Sequence, residues 1–199
     1  KIRELQLYNF RGIGRKTIDF TDTDGNPKQF TVLIGDNGSG KTSILEAITK
    51  ALVPVIRSIN TEAVKKCDLT NNDIKNRRGW TKVVLSLDIE DIVYRCSNRR
   101  RKNANIEFEN KLDKNSILRE IKQLKAKYDE LRDIGQLPLV LYYGTNRVVN
   151  EIPQRGHIKE FYIEDALKNC FDNSNSFRDF YEWFKTEEDI RSEERRVGK

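Results

Sequence analysis

Methionine is absent from this sequence, histidine occurs once, proline four times and cysteine three times in 199 residues. Cys67, Cys96 and Cys170 lie far apart and match no metal-ligand spacing, so no metal site is legible in them and free thiols in a reducing cytoplasm are expected. No apolar run approaches the roughly 20 residues that cross a bilayer, and no export signal opens the chain. This argues against a membrane partner. Internal repeats and low-complexity tracts are also missing. A Met followed by Lys is normally retained, so a chain beginning at Lys1 is expected to be trimmed or incomplete. Residues 191–199 lack apolar periodicity and resemble a read-through of a sequencing adapter. They are expected to be a non-native tail, which leaves 1–190 as one domain or part of one.

What is present is polar: 34% charged residues against 37% apolar, with a net charge of +6. The tail's four basic and two acidic residues account for two of those charges, leaving a mild +4 that permits a nucleic-acid partner without demanding one. Apolar periodicity nevertheless recurs along the chain. It predicts strands over Ile2–Phe10, Lys16–Phe20 and Phe30–Ile34, then a helix over Ser43–Leu52 that Pro54 stops or bends. Val83–Ile89 alternates cleanly, and Ile92–Ser97 and Asn105–Phe108 read as its partners in an antiparallel meander. Ser116–Ile134 is the clearest helix, and Leu139–Tyr143 reads as a buried strand. Two further helices follow, one placing Ile163, Ala166, Leu167, Cys170 and Phe171 on a single face, the other striping Phe177, Phe180, Tyr181 and Phe184.

Gly35-Asp36-Asn37-Gly38-Ser39-Gly40-Lys41-Thr42 fits Gly-x-x-x-x-Gly-Lys-Thr, the pattern of a phosphate-binding loop. Average composition produces that pattern by chance in roughly one chain in a hundred of this length. Its position between a predicted strand and a predicted helix makes chance rarer still. Glycines let successive N–H groups turn inward onto phosphate oxygens, and the helix N-terminus adds a favourable dipole. Lys41 is expected to reach the β- and γ-phosphates and the Thr42 hydroxyl to take one Mg²⁺ position, with ATP as the nucleotide. Hydrolysis also requires an acidic residue at the end of a buried strand, and no residue here is assigned as catalytic. The one local candidate, Asp88, ends an alternating strand and reads as part of the meander.

Ile2–Phe10, Asn9-Phe10-Arg11-Gly12 and Val32–Ile48 together resemble the N-terminal half of an ABC-type ATPase head, in the RecF/SMC-like branch. Leu141–Arg147 and Phe177–Phe184 resemble the Septu-type and retron-linked phage-defence ATPases within it. The resemblance implies an α/β P-loop fold in which N-terminal antiparallel strands lie beside a core sheet with helices, the second half being incomplete. Residues 1–190 are then the N-terminal part of a head domain. It implies that two full-length heads form a homodimer through the nucleotide sites, acting on DNA or on a nuclease effector in the cytoplasm. It also places Arg11 close to the nucleotide, and extends the binding set through Ser43. Asn146 and Arg147 stand where a glutamine loop is usual. The signature motif, acidic pair and switch histidine are absent, and His157 reads as a loop residue.

Arg99-Arg100-Arg101-Lys102 is read as a solvated hairpin tip rather than a phosphate contact, and the Ser116–Ile134 stripe as packing on its own domain. Two rival readings stand beside the leading one. The first is a self-contained small P-loop NTPase or kinase using Asp88 for Mg²⁺, which requires 83–88 to lie beside 30–34. The second is a non-catalytic module in which ATP gates a partner. Under the leading reading the full-length protein is an ATPase, whereas this stretch binds ATP without turning it over.

Overall fold

Alternation from Ile2 builds the first strand, β1 (Ile2–Phe10), with Leu5 and Leu7 fully buried on one face. A computed structural model describes residues 1–60, 67–108, 114–136, 138 and 140–144, with Leu167, Cys170 and Phe171. In it β1 pairs with β2 (Ile13–Asp19) on one side and β3 (Trp80–Ile89) on the other, and β3 pairs with β4 (Ile92–Arg101). The sheet is antiparallel throughout, in the order β2-β1-β3-β4. The β1–β3 register slips between Ile2 and Glu4, and Arg3 at that bulge donates to Asp88 Oδ2 at 2.8 Å.

One long helix, α1 (Lys41–Ile59), covers the inner face, burying Ala47, Ala51, Val53 and Ile56 against Leu5, Leu7, Val83, Leu85 and Cys96. Each large apolar side chain so buried contributes about 1.5–3 kcal/mol. A second helix, α2 (Lys114–Asp133), packs along β4 and α1 through Leu124 and Tyr128. Its Lys127 is tied to Glu90 in the β3–β4 turn at 2.5 Å.

Several expectations need correction. Pro54 does not end the first helix, which continues to Ile59. A proline lacks the N–H that would bond the carbonyl four residues back. Here that carbonyl belongs to Lys50, and the Asn98 side-chain amide on β4 donates to it at 2.8 Å. Arg99, Arg100 and Arg101 form no hairpin tip: they continue β4 opposite Lys82, Thr81 and Trp80. Asn105–Phe108 is not a strand. Its Phe108 stands edge-on to Trp80, with ring centroids 5.5 Å apart.

Phe30–Ile34, expected as a buried strand, joins no sheet among the described residues, and Phe30 and Ile34 are 81% and 91% exposed. Only Leu33 turns inward, beside Thr31, Leu45 and Ile48 along a cleft of about 480 Å³. The described part of Leu139–Tyr143 is likewise in no sheet. Val140 and Tyr142 pack on the core, Leu141 and Tyr143 face outward, and Tyr142 N–H donates to Cys170 O at 3.0 Å. Leu167, Cys170 and Phe171 are buried together, as their shared face predicted. The other residues of the two helices expected near the C-terminus, with 145–147, His157 and 191–199, lie outside the described residues.

Candidate functional site

The glycine-rich loop runs into α1, and its backbone has the shape the spacing calls for. Gly38 and Gly40 take φ of +84° and +95°, the left-handed region that side-chained residues avoid. Gly35 has a different constraint, since a Cβ there would meet Ser39 Oγ at 2.8 Å. Gly40 caps α1 with no side-chain hydrogen bond, so the first-turn N–H groups are left without a capping acceptor, and no acidic residue occupies that turn. The positive end of the helix dipole is thus open to an anion.

Lys41 closes over this loop. Its ammonium donates to Gly35 O and Asp36 O, both at 2.7 Å. Two carbonyls of the loop therefore hold the side chain at the mouth that phosphates would enter. Asp36, Asn37, Gly38, Ser39 and Thr42 are exposed, and Ser43 is half-buried. The donors suit an anion such as a nucleotide phosphate: the uncapped first-turn amides, one flexible cation, and the Thr42 hydroxyl at the second residue of the helix.

Arg11 is brought to the same helix turn. It takes φ of +51° and its N–H donates to Asp73 O at 2.8 Å. Its guanidinium donates through Nε to Asp73 Oδ1 at 3.0 Å, through Nη1 to Ser43 Oγ at 3.5 Å, and through Nη2 to Glu46 Oε2. Burial works against its charge, but Glu46 and Asp73 outweigh burial and raise its pKa further. Asp73, only 2% exposed, also accepts from Thr70 N–H at 2.9 Å and pairs with Lys50 Nζ at 3.1 Å. Burial opposes its ionisation too, yet the Thr70 amide, Lys50 and Arg11 hold it below the usual carboxylate range.

Glu46, Lys50 and Asp73 were missed by sequence reasoning. Thr70-x-x-Asp73 carried a signal, being a capping-box pattern, and the structure builds that box around the 3₁₀ turn Asn71–Asp73. Tyr142 stands near the Arg11–Glu46 pair, and burial and Glu46 raise its pKa while Arg11 opposes them.

Asp88 is elsewhere. It pairs with Val93 and binds Arg3, six residues along β3 from the Lys82–Tyr8 register that adjoins Arg11, or about 20 Å at strand spacing. Residues 83–88 lie between β1 and β4, not beside 30–34, which removes the geometry the small-NTPase reading required. The described residues hold no cluster of potential metal ligands. Cys67 Sγ donates to Phe171 O at 3.3 Å, and burial pushes Cys170 up to about 11. Among the described residues no helix is long and apolar enough to cross a membrane.

These features are those of a P-loop followed by a helix, and comparison with known proteins places the chain in an ATPase family. The profile of the AAA domain family matches residues 4–197, and the chain belongs to that family. It is 31% identical over 205 residues to the retron Vc95 probable ATPase of Vibrio cholerae serotype O1 biovar El Tor, covering 97% of this chain and 38% of that protein. It is 22% identical to the retron Ec83 probable ATPase of Escherichia coli, covering 93% of this chain and 34% of that one. A 52-residue stretch is 40% identical to the Septu protein PtuA of Bacillus mycoides (strain KBAB4), covering 26% of this chain and 7% of that one. The chain thus spans little more than a third of the retron ATPases it matches. A solved SMC ATPase structure overlaps 66% of this chain and 97% of its own length at 22% identity. Its TM-score of 0.33 is too low to carry an argument. The resemblance to the retron and Septu-type ATPases is borne out, as is a mixed α/β architecture with N-terminal antiparallel strands beside the helix that follows the glycine-rich loop.

Proposed function

We propose that this chain binds Mg²⁺-ATP at Gly35–Ser43 and is the nucleotide-binding half of a cytoplasmic RecF/SMC-like ATPase. Nucleotide-driven homodimerisation of that ATPase regulates a DNA-directed, anti-phage activity, through a nuclease effector or on DNA directly. The observation that carries the reading is the uncapped α1 N-terminus, with Gly38 and Gly40 left-handed and Lys41 folded over the loop mouth. Lys41, now held by Gly35 O and Asp36 O, and the uncapped first-turn amides of α1 would hold the phosphates of ATP. Thr42 would supply one oxygen to Mg²⁺, whose charge would offset that of the phosphates. Arg11 serves the phosphate side from the adjoining turn. The relatives named as retron ATPases and Septu PtuA support the defence setting.

Calorimetry with Mg²⁺-ATP tests this directly. Lys41→Ala removes the loop's only ammonium and should weaken binding about a hundredfold, the scale of a lost charged hydrogen bond. Gly40→Val should do similar damage by forcing a branched residue into the left-handed region. Equal affinities for wild type and Lys41→Ala would sink the assignment. The purified chain should bind ATP yet hydrolyse it at background rate. Supplying the rest of the head should restore turnover that rises more than linearly with protein concentration.

A further inference from the structure

Arg11 makes unlike contacts with its two carboxylates. Asp73 is almost wholly buried, sits in a capping box, is paired with Lys50 and accepts from two atoms of Thr70, so it is fixed by its surroundings. Glu46 is different. Its side chain is 24% exposed, and Arg11 is its only ion-pair partner among the described residues. It stands four residues after Thr42, hence on the same face of α1 and one turn deeper. The third contact, Nη1 to Ser43 Oγ, is stretched to 3.5 Å and leaves that donor with spare capacity.

We propose that Glu46 is an internal counter-anion that occupies Arg11 in the nucleotide-free chain, and that an anionic phosphate oxygen of the nucleotide displaces it. Asp73 is the positioning residue that keeps hold of Nε while the Nη groups change partners. A carboxylate and a phosphate oxygen offer a guanidinium the same hydrogen-bond chemistry, so one substitutes for the other. The phosphate has the added attraction of the open helix N-terminus one turn away, whereas Glu46 lies below it. With Nε and the Arg11 N–H still held by Asp73, the Nη groups swing away from Glu46 toward the side of the helix that Ser43 already marks. The inference rests on the nucleotide reading and adds an ordering to it: binding costs the Arg11–Glu46 pair before it gains Arg11.

The sign of one substitution separates this from a structural role. Glu46→Gln removes the competing carboxylate, so Mg²⁺-ATP affinity of the full chain should rise, by up to about tenfold, even as the nucleotide-free fold loses stability. In an Arg11→Ala background the same substitution should change affinity little, because its effect runs through Arg11. Asp73→Asn should weaken binding and erase most of the Glu46→Gln gain. Calorimetry on wild type, Glu46→Gln, Arg11→Ala and the Arg11→Ala/Glu46→Gln double variant gives the answer. If wild type binds ATP and Glu46→Gln weakens binding or leaves it unchanged, the counter-anion role is overturned. An equal gain in both backgrounds overturns it too, since the effect would then be general electrostatics around a polyanion. Failure of wild type to bind ATP would instead overturn the nucleotide reading on which this one stands.

Discussion

The sheet with α1 and the loop with its lead-in segment, residues 29–40, obey opposite rules in one small molecule. In the first, hydrogen bonds are made within the fold: β3 is paired on both edges, its residues Trp80–Ser86 are buried, and the carbonyl orphaned by Pro54 finds Asn98. In the second, apolar Phe30, Val32 and Ile34 face solvent, two glycines hold left-handed conformations, and the first-turn amides of α1 lack a cap. The sheet and α1 spend their groups on each other, whereas the loop leaves donors unmet. The difference teaches that the core of the sheet and the lead-in to the loop draw on separate residues, so substitutions in one should leave the other little changed, while Glu46 and Asp73 stand where the two meet.

The largest separation should come from the core. Leu85 is fully buried between β1, β4 and α1, and Leu85→Ala should cost about 2–5 kcal/mol through lost burial and the cavity left behind. Ile34→Thr, in the exposed lead-in, should leave unfolding within about 0.5 kcal/mol of wild type. Urea denaturation of the two variants checks both. Comparable losses would mean that 30–34 is packed and that the contrast between the regions is false.

A middle-sized effect is expected where the closed region is repaired rather than regular. Asn98→Ala strands the Lys50 carbonyl and removes the bond to Asp68 Oδ1 at 2.9 Å, at a cost of about 1–3 kcal/mol. Replacing Pro54 with Ala restores a local N–H for that carbonyl, so the cost of Asn98→Ala should shrink in the Pro54→Ala background. If the two substitutions are additive, Asn98 is not compensating for the proline.

The smallest expected effect is on acid sensitivity. Asp73 is held below the usual carboxylate range despite its burial, by Thr70, Lys50 and Arg11, and Asp68 likewise by Asn98 and Arg57. A carboxylate with a depressed folded pKa adds stability above its unfolded value, near 4, and loses it as pH falls through the folded value. Wild-type stability should therefore decline below about pH 4, and more steeply than that of Asp73→Asn, which lacks one of these groups. Parallel pH profiles for the two would show that the Asp73 network contributes nothing to acid stability.

Composition and periodicity were enough for β1, β3, α2 and the phosphate loop, because each is specified locally. Leu5 and Leu7 alternate, Val83, Leu85 and Leu87 alternate, and Gly-x-x-x-x-Gly-Lys-Thr carries its own backbone requirement. Tertiary structure decided the rest. Pro54 reads as a stop until β4 brings Asn98 to the orphaned carbonyl from 48 residues away. The Arg99–Arg101 run reads as a loop until Lys82, Thr81 and Trp80 supply its ladder partners. Apolar content alone made Phe30–Ile34 a strand, but a strand needs a neighbour for its hydrogen bonds, and sequence does not show whether one is present. Asp73 and Glu46 join the site only because the chain folds residues 62 and 35 positions from Arg11 onto one guanidinium. Local chemistry is written in order along the chain; partners distant in sequence are set by how the sheet and α1 close upon each other.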